Sequence, residues 1–296
     1  MSIILESKTS YTLKTPERTY IQDVAIRLRR HKPALLSIGF FFLLIFWVIV
    51  GPLFSSYEPQ KVEIRNRLQP PSGEHIFGTD ELGRDVAVRS MAGGQVSLLI
   101  GFSTALLTTI VGIIIGAISG YYGGTVDSLL MRFTDIMLSI PSLPLLLIMS
   151  RFAGGTFLNI VLILTLFGWM GLARIVRGNI LSIKEREFVR AARVLGSGTA
   201  RIIIQHILPN TMAPIIVFAT LNLGFAIIAE SSLSYLGLGV QPPTPSWGNM
   251  LLGAQQYMAS APWLSLIPGL FIFVTLLCVN FLGDGLRDAL DPRMKI

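Results

Sequence analysis

Charge and cysteine are both scarce in this chain. Asp, Glu, Lys and Arg make up 14% of its 296 residues, against about a quarter in soluble domains. That shortage excludes an ordinary soluble globular protein. The single cysteine, Cys278, rules out a disulfide framework, a Cys-rich zinc site and a thiol redox pair. No Gly-Lys dipeptide occurs, so the phosphate loop G-x-x-x-x-G-K-[ST] is missing and ATP hydrolysis by that route is excluded. The three histidines, His31, His75 and His206, stand too far apart for an H-E-x-x-H zinc site, and no G-x-S-x-G nucleophile turn is present. An intramembrane enzyme is therefore disfavoured. Ion-coupled carriers place ionisable groups at mid-bilayer, whereas Glu230 alone stands well inside an apolar stretch here, and it lies near that stretch's end.

What is present is apolar. Hydrophobic residues make up 52% of the chain, and they fall into six stretches long enough to cross about 30 Å of hydrocarbon as helices. These are Ala34–Phe54, Ser97–Gly120, Ile136–Ala153, Leu158–Ile175, Ala213–Leu236 and Leu264–Leu282. The fold class expected is all-α, a polytopic membrane protein with six transmembrane helices. A basic N-terminal segment, residues 1–33, precedes a transmembrane domain over 34–282 and a tail over 283–296. Loops at 55–96, 176–210 and 237–263 interrupt the domain. The first stretch is too long for a signal peptide and lacks a small-residue cleavage site, so it is expected to be retained.

Six spans put both termini on one side. That side carries 18 Lys and Arg, the other six, so the termini and the 176–210 loop are assigned to the cytoplasm. The same bias accounts for the net charge of +7 with membrane lipid as partner and no nucleic acid.

Gly112, Gly116, Gly120 and Gly124, with Thr108, recur every four residues on the second span. Small residues at that spacing let helix backbones approach closely, either inside this subunit or against a partner. Pro141 and Pro144 cannot donate backbone hydrogen bonds and are expected to start or kink the third span. At the far end of the fifth, Glu230, with Ser231 and Ser234, is either a hydrogen-bonded interfacial carboxylate or part of a translocation path or outer gate. Thr79 or Asp80 suits an N-cap, and Trp247 and Trp263 suit interface anchors.

The loop around Arg174–Pro209 is the most informative segment. Ser182 and Glu185 have the capping-box spacing. Phe188, Ala191, Ala192 and Leu195 then recur at i, i+3, i+4 and i+7, opposite Lys184, Arg186, Arg190 and Arg193. Gly196 closes this helix, Ser197 or Thr199 caps the next, and Pro209 stops that one before the fifth span. Periodicity alone equally suits an amphipathic loop at the lipid headgroups.

The spacing Ala191-Ala192-x-x-x-Gly196, with Leu208-Pro209 twelve and thirteen residues on, resembles the EAA loop of ATP-binding-cassette importer permeases. Arg190 occupies the position of that loop's leading acidic residue, and Glu187 precedes it by three, a variant similar to the peptide-permease branch. Gly78–Asp85, Glu230–Gly239 with Pro242–Gly248, and Gly283–Asp288 with Asp291-Pro-Arg also resemble the "C" permease subunits of dipeptide and oligopeptide importers. The resemblance runs over nearly the whole chain from about residue 20.

The resemblance implies a type I importer permease forming half of a translocation path with a homologous permease subunit. It implies coupling through Glu187, Arg190, Ala191, Ala192, Gly196, Leu208 and Pro209 to two separate ATPase subunits, which carry the ATP and Mg, and delivery by an external substrate-binding protein. The chain itself has no cofactor, metal or catalytic residue in this reading. Peptide is the solute it implies, with nickel or a short saccharide the alternatives inside the same architecture. A stand-alone secondary carrier and a structural subunit are the readings outside it.

Overall fold

The computed structural model describes residues 20–290, and apart from one isolated bridge between Thr79 and Asp85 their regular structure is helical. The Asp291-Pro-Arg motif lies outside the described residues. Four helical runs are long and apolar enough to cross a bilayer alone: α2 (Lys32–Phe54), α3 (Val86–Tyr122), Thr199–Tyr235 and α12 (Trp263–Leu290). Counting each of two bent helix pairs as one span brings the number to six.

The bends correct the expected third and fourth spans. The third is α4 (Gly124–Ser139) followed by α5 (Ser142–Ala153), set 86° apart. Pro141 forces Ile140 into the extended region, ψ 128°, and this ends α4. Twelve residues make α5 about 18 Å long, short of the hydrocarbon thickness. The fourth span joins α6 (Phe157–Gly168) to α7 (Met170–Ile183) through a 44° bend at Trp169.

Helix α3 is the central post, packed by α2, α6, α7 and α10 (Leu208–Tyr235). Its glycines decide how closely α7 approaches. A Cβ on Gly112 would fall 2.8 Å from Leu172 Cβ, on Gly116 2.5 Å from the Ala173 carbonyl oxygen, and on Gly120 3.0 Å from that of Arg177. The stripe is thus filled by α7 of the same chain. Gly124 does not share it; it opens α4 at φ 55° with nothing near its Cβ position.

At the end of the bundle where the chain enters α2, the short α1 (Tyr20–Arg30) lies against α12. His31 Nδ1 accepts the Ala34 N–H at 3.1 Å, capping α2, while its Nε2 sits 3.6 Å from Asp288 Oδ2 on α12. A Cβ on Gly285 would fall 2.3 Å from that of Ala34, so the Gly283–Asp288 motif is where α12 closes on α2.

The opposite end holds a lobe built from residues 59–85 and α11 (Trp247–Ala254). Asp85, rather than Thr79 or Asp80, caps α3, accepting from Val88 N at 2.9 Å, and its other oxygen meets His75 Nδ1 at 2.8 Å. Asp80 instead ties its own turn, accepting from the backbone N–H groups of Leu82 and Arg84 and from Arg84 Nε at 2.6 Å. Trp247 is not an interface anchor. It is fully buried, with Nε1 donating to the Ser90 carbonyl at 2.9 Å.

Candidate functional site: the coupling loop

Helix α7 runs past Ser182 to Ile183, so the expected capping box does not form; α8 (Glu187–Val194) begins after Arg186, without a side-chain cap. It ends where expected. Gly196 takes φ 81°, Ser197 N donates to the Ala192 carbonyl and Gly196 N to that of Arg193, the hydrogen-bond pattern of a left-handed helix stop. The next helix starts at Thr199 with Gly198 as N-cap and no side-chain bond from Ser197 or Thr199.

Pro209 does not stop that helix. The chain continues from α9 (Thr199–Arg201) through a π-helical turn, Ile202–Ile207, straight into α10. A proline lacks the N–H of an α-turn and its ring crowds the carbonyl four residues back. The extra residue in the π-turn shifts the ladder just ahead of it, so Leu208-Pro209 become the first turn of the fifth span.

The face of α8 also differs from the expectation. Val189 and Ala192 are the residues turned inward, joining Ala117, Leu172, Val176, Ile180, Ile183, Ile202, Ile207 and Ile215 in one buried cluster. Phe188, Ala191 and Leu195 are exposed, as is Val194; Val194 and Leu195 keep 87% and 85% of their surface. Glu187, Arg190 and Pro209 are exposed and Leu208 packs against the cluster. The loop is therefore a core-anchored projection with an apolar patch left open at its tip.

Polar contacts fix its base. Lys184 Nζ donates to the Gly120 carbonyl at 2.9 Å, neutralising the open C-terminal end of α3. Arg177 holds Asp127 of α4 through both ends of its guanidinium, at 2.5 and 2.6 Å, and Ser119 of α3 donates to the same carboxylate. Arg193 lies over the Tyr121 ring, 6.0 Å from its centre. Sequence reasoning missed this set, because the residues of α7 and of the loop lie 50 and more residues from their partners on α3 and α4 and carry no local pattern. Arg190 has a weaker tie, an exposed 3.2 Å pair with Glu185.

At the other end Glu230 is fully buried, contrary to an exposed interfacial position. Its carboxylate accepts from Ser97 Oγ at 3.0 Å, Ser234 Oγ at 2.7 Å and Ser231 Oγ at 3.4 Å. Ser97 Oγ in turn accepts from Trp247 N at 3.2 Å and Ser234 Oγ from Val240 N at 3.0 Å, so this carboxylate joins α3, α10 and the start of α11. A Cβ on Gly239 would collide with Ser234 Oγ at 2.1 Å and on Gly248 with Ser231 Cα at 2.6 Å. The Glu230–Gly239 and Pro242–Gly248 motifs are thus one packed corner.

A family model described as the binding-protein-dependent transport system inner membrane component matches residues 112–296, and one for the N-terminal transmembrane domain of oligopeptide transport permease C matches residues 19–71. The chain is 40% identical over 274 residues to the oligopeptide transport system permease protein OppC of Bacillus subtilis, covering 93% of this chain and 90% of that one. It is 40% identical over 291 residues to the dipeptide permease DppC of the same organism, covering 98% and 91%. Against OppC of Haemophilus influenzae the identity is 42% over 278 residues, covering 93% and 89%. A chain of the MetNI methionine ABC transporter, solved in an inward-facing conformation, superimposes with a TM-score of 0.54 at 18% identity, over 67% of this chain and 94% of that one. That likeness concerns the fold, an all-α polytopic arrangement of the type I importer permease kind. With the family model covering more than half of its length and relatives near 40% identity along almost all of it, the chain belongs to the binding-protein-dependent transport system inner membrane component family, among the permease C proteins.

Proposed function

We propose that this chain is the permease subunit of an ATP-driven peptide importer of the inner membrane. It forms half of the translocation path with a homologous subunit and takes its energy from two separate ATPase subunits that bind ATP and Mg. An external binding protein delivers the solute at the Asp85–Trp247 end. Both termini and the coupling loop face the cytoplasm in this reading, which the 18-to-six distribution of Lys and Arg supports. The names of the relatives, oligopeptide and dipeptide permeases, support peptide as the solute.

The observation that carries the mechanism is the construction of α8. Its inner residues Val189 and Ala192 belong to the same buried cluster as residues of α3, α7 and α10, while Phe188, Val194 and Leu195 remain uncovered. A push on the open patch therefore reaches the spans through packed side chains, which deform little. Closure of the ATPases would move α8, and with it α7 and α10, switching the cavity between inward- and outward-facing states.

The test is co-purification from membranes in mild detergent. Leu195→Asp places a charge on the open patch without touching the core, so the subunit is expected at normal abundance with its ATPase partners lost and peptide uptake abolished. Normal ATPase recovery and normal uptake of a labelled peptide would overturn the coupling assignment. Uptake of nickel or a saccharide in place of peptide by the wild-type complex would overturn the solute.

A further inference from the structure

A cavity of about 370 Å³ lies between α3, α5, α6 and α10, within the roughly 300–1,000 Å³ range of small-molecule sites. The bend at Pro141 creates it by swinging α5 away from the axis of α4. Its wall is apolar, including Leu146, Leu164, Phe167 and Phe225, and no Asp, Glu, Lys or Arg lines it. Four polar side chains line it, and while Ser142 is exposed and Ser232 half-buried, Thr104 of α3 and Asn222 of α10 are buried near the middle of their spans.

The orientation of the Asn222 amide follows from its neighbour. Thr108 Oγ1 lies 2.8 and 3.0 Å from the carbonyls of Thr104 and Ala105, so its single proton is committed to the backbone and it can only accept from Asn222. The group meeting it at 2.6 Å is accordingly Asn222 Nδ2–H. Oδ1 is left as a hydrogen-bond acceptor with no partner among the described residues. One turn before Thr108, Thr104 Oγ1 is buried and unpartnered as well. Asn222 lines the cavity, and a lipid chain can satisfy neither its Oδ1 nor the Thr104 hydroxyl. A ligand with an N–H donor and an apolar body can.

We propose that this cavity is a solute subsite that recognises a neutral peptide segment, with Asn222 Oδ1 accepting a backbone N–H and the apolar wall taking the adjoining side chain. The proposal rests on the peptide-importer reading. It makes Asn222 a specificity-determining residue and leaves selection by charge to other parts of the assembly.

The full transporter, reconstituted in liposomes with its partner subunits and binding protein, tests it. Uptake is measured for an alanine tripeptide and for its depsipeptide, in which one amide N–H is replaced by an ester oxygen. The binding protein contributes equally to every permease variant, so the ratio of the two rates is compared between wild type and Asn222→Leu. A neutral hydrogen bond made in the path predicts that wild type favours the amide by about three- to tenfold more than Asn222→Leu does. Thr104→Val is a fold-safe companion: it removes an orphaned hydroxyl at nearly constant volume, so thermal stability should not fall, while Ala229→Trp fills the cavity and should lower tripeptide uptake. An equal amide-to-ester ratio in wild type and Asn222→Leu overturns the subsite, including the case in which a lipid chain occupies the cavity. Absence of tripeptide uptake by the wild-type complex would instead refute the peptide-importer reading.

Discussion

Adding one methyl group at Gly116 sets two effects of known sign against each other. Alanine is favoured over glycine in a helix interior by about 1 kcal/mol. At Gly116, however, the new Cβ would stand 2.5 Å from the Ala173 carbonyl oxygen and 2.8 Å from Val176 Cβ, where ordinary contact begins at 3.4 Å. The nearest obstacle is backbone and cannot rotate away, so α7 must retreat from α3 by roughly 0.9 Å to relieve it. A gap of that size forfeits about a quarter to a half of each dispersion contact along the seam, including those at Gly112 and Gly120. Overpacking of this kind costs about 1–3 kcal/mol and outweighs the propensity gain. Gly178, on α7, is exposed with nothing within 4 Å of its Cβ position, so alanine there should stabilise by up to about 1 kcal/mol. The buried Cys278 thiol, the only cysteine in the chain, reports unfolding in detergent through reaction with a fluorogenic maleimide. Gly116→Ala should lower the unfolding midpoint by several degrees and Gly178→Ala should hold or raise it, at about 2–4 °C per kcal/mol. A Gly116→Ala protein as stable as Gly178→Ala would refute the close-packed seam.

Ala192→Glu should destabilise the subunit, because Ala192 is enclosed by its own chain, whereas Ala191→Glu should leave the thermal midpoint unchanged and reduce ATPase recovery in the co-purification assay. Gly196→Val forces a β-branched residue to φ 81°; the cost of upwards of about 1 kcal/mol should fall on the aim of the α8–α9 bend, seen as reduced uptake at normal abundance, with Gly196→Asn milder. Glu230→Gln should lower the thermal midpoint, since an amide turns an N–H toward hydroxyls that now donate to a carboxylate, costing about 1–3 kcal/mol; an unchanged midpoint would refute a charged carboxylate at this corner.

The apolar blocks made the membrane-crossing helices readable from the sequence, four as single helices and two further blocks as bent pairs, because hydrocarbon thickness sets span length regardless of which helix packs on which. The termination of α8 at Gly196 was legible for a similar reason: a left-handed stop is a property of a few consecutive residues. Motif order along the chain was enough to recognise the family.

What the sequence could not convey was direction. Phe188, Ala191 and Leu195 have the period of a buried stripe, but Val189 and Ala192 are the residues α3 and α7 enclose, and only the three-dimensional arrangement distinguishes a covered face from one left open. Ser182 and Glu185 fit a capping box, yet the pull of Ile180 and Ile183 into the core extends α7 past Ser182. Pro209 reads as a helix stop, and a π-turn whose Ile202 and Ile207 are held in the same cluster carries the helix through it. Glu230 lies close enough to the end of its span to suggest exposure, and the lobe formed by α11 folds over it. In each case local chemistry determined which residues could form an element, and long-range packing decided where that element ended and which side of it met water, lipid or protein.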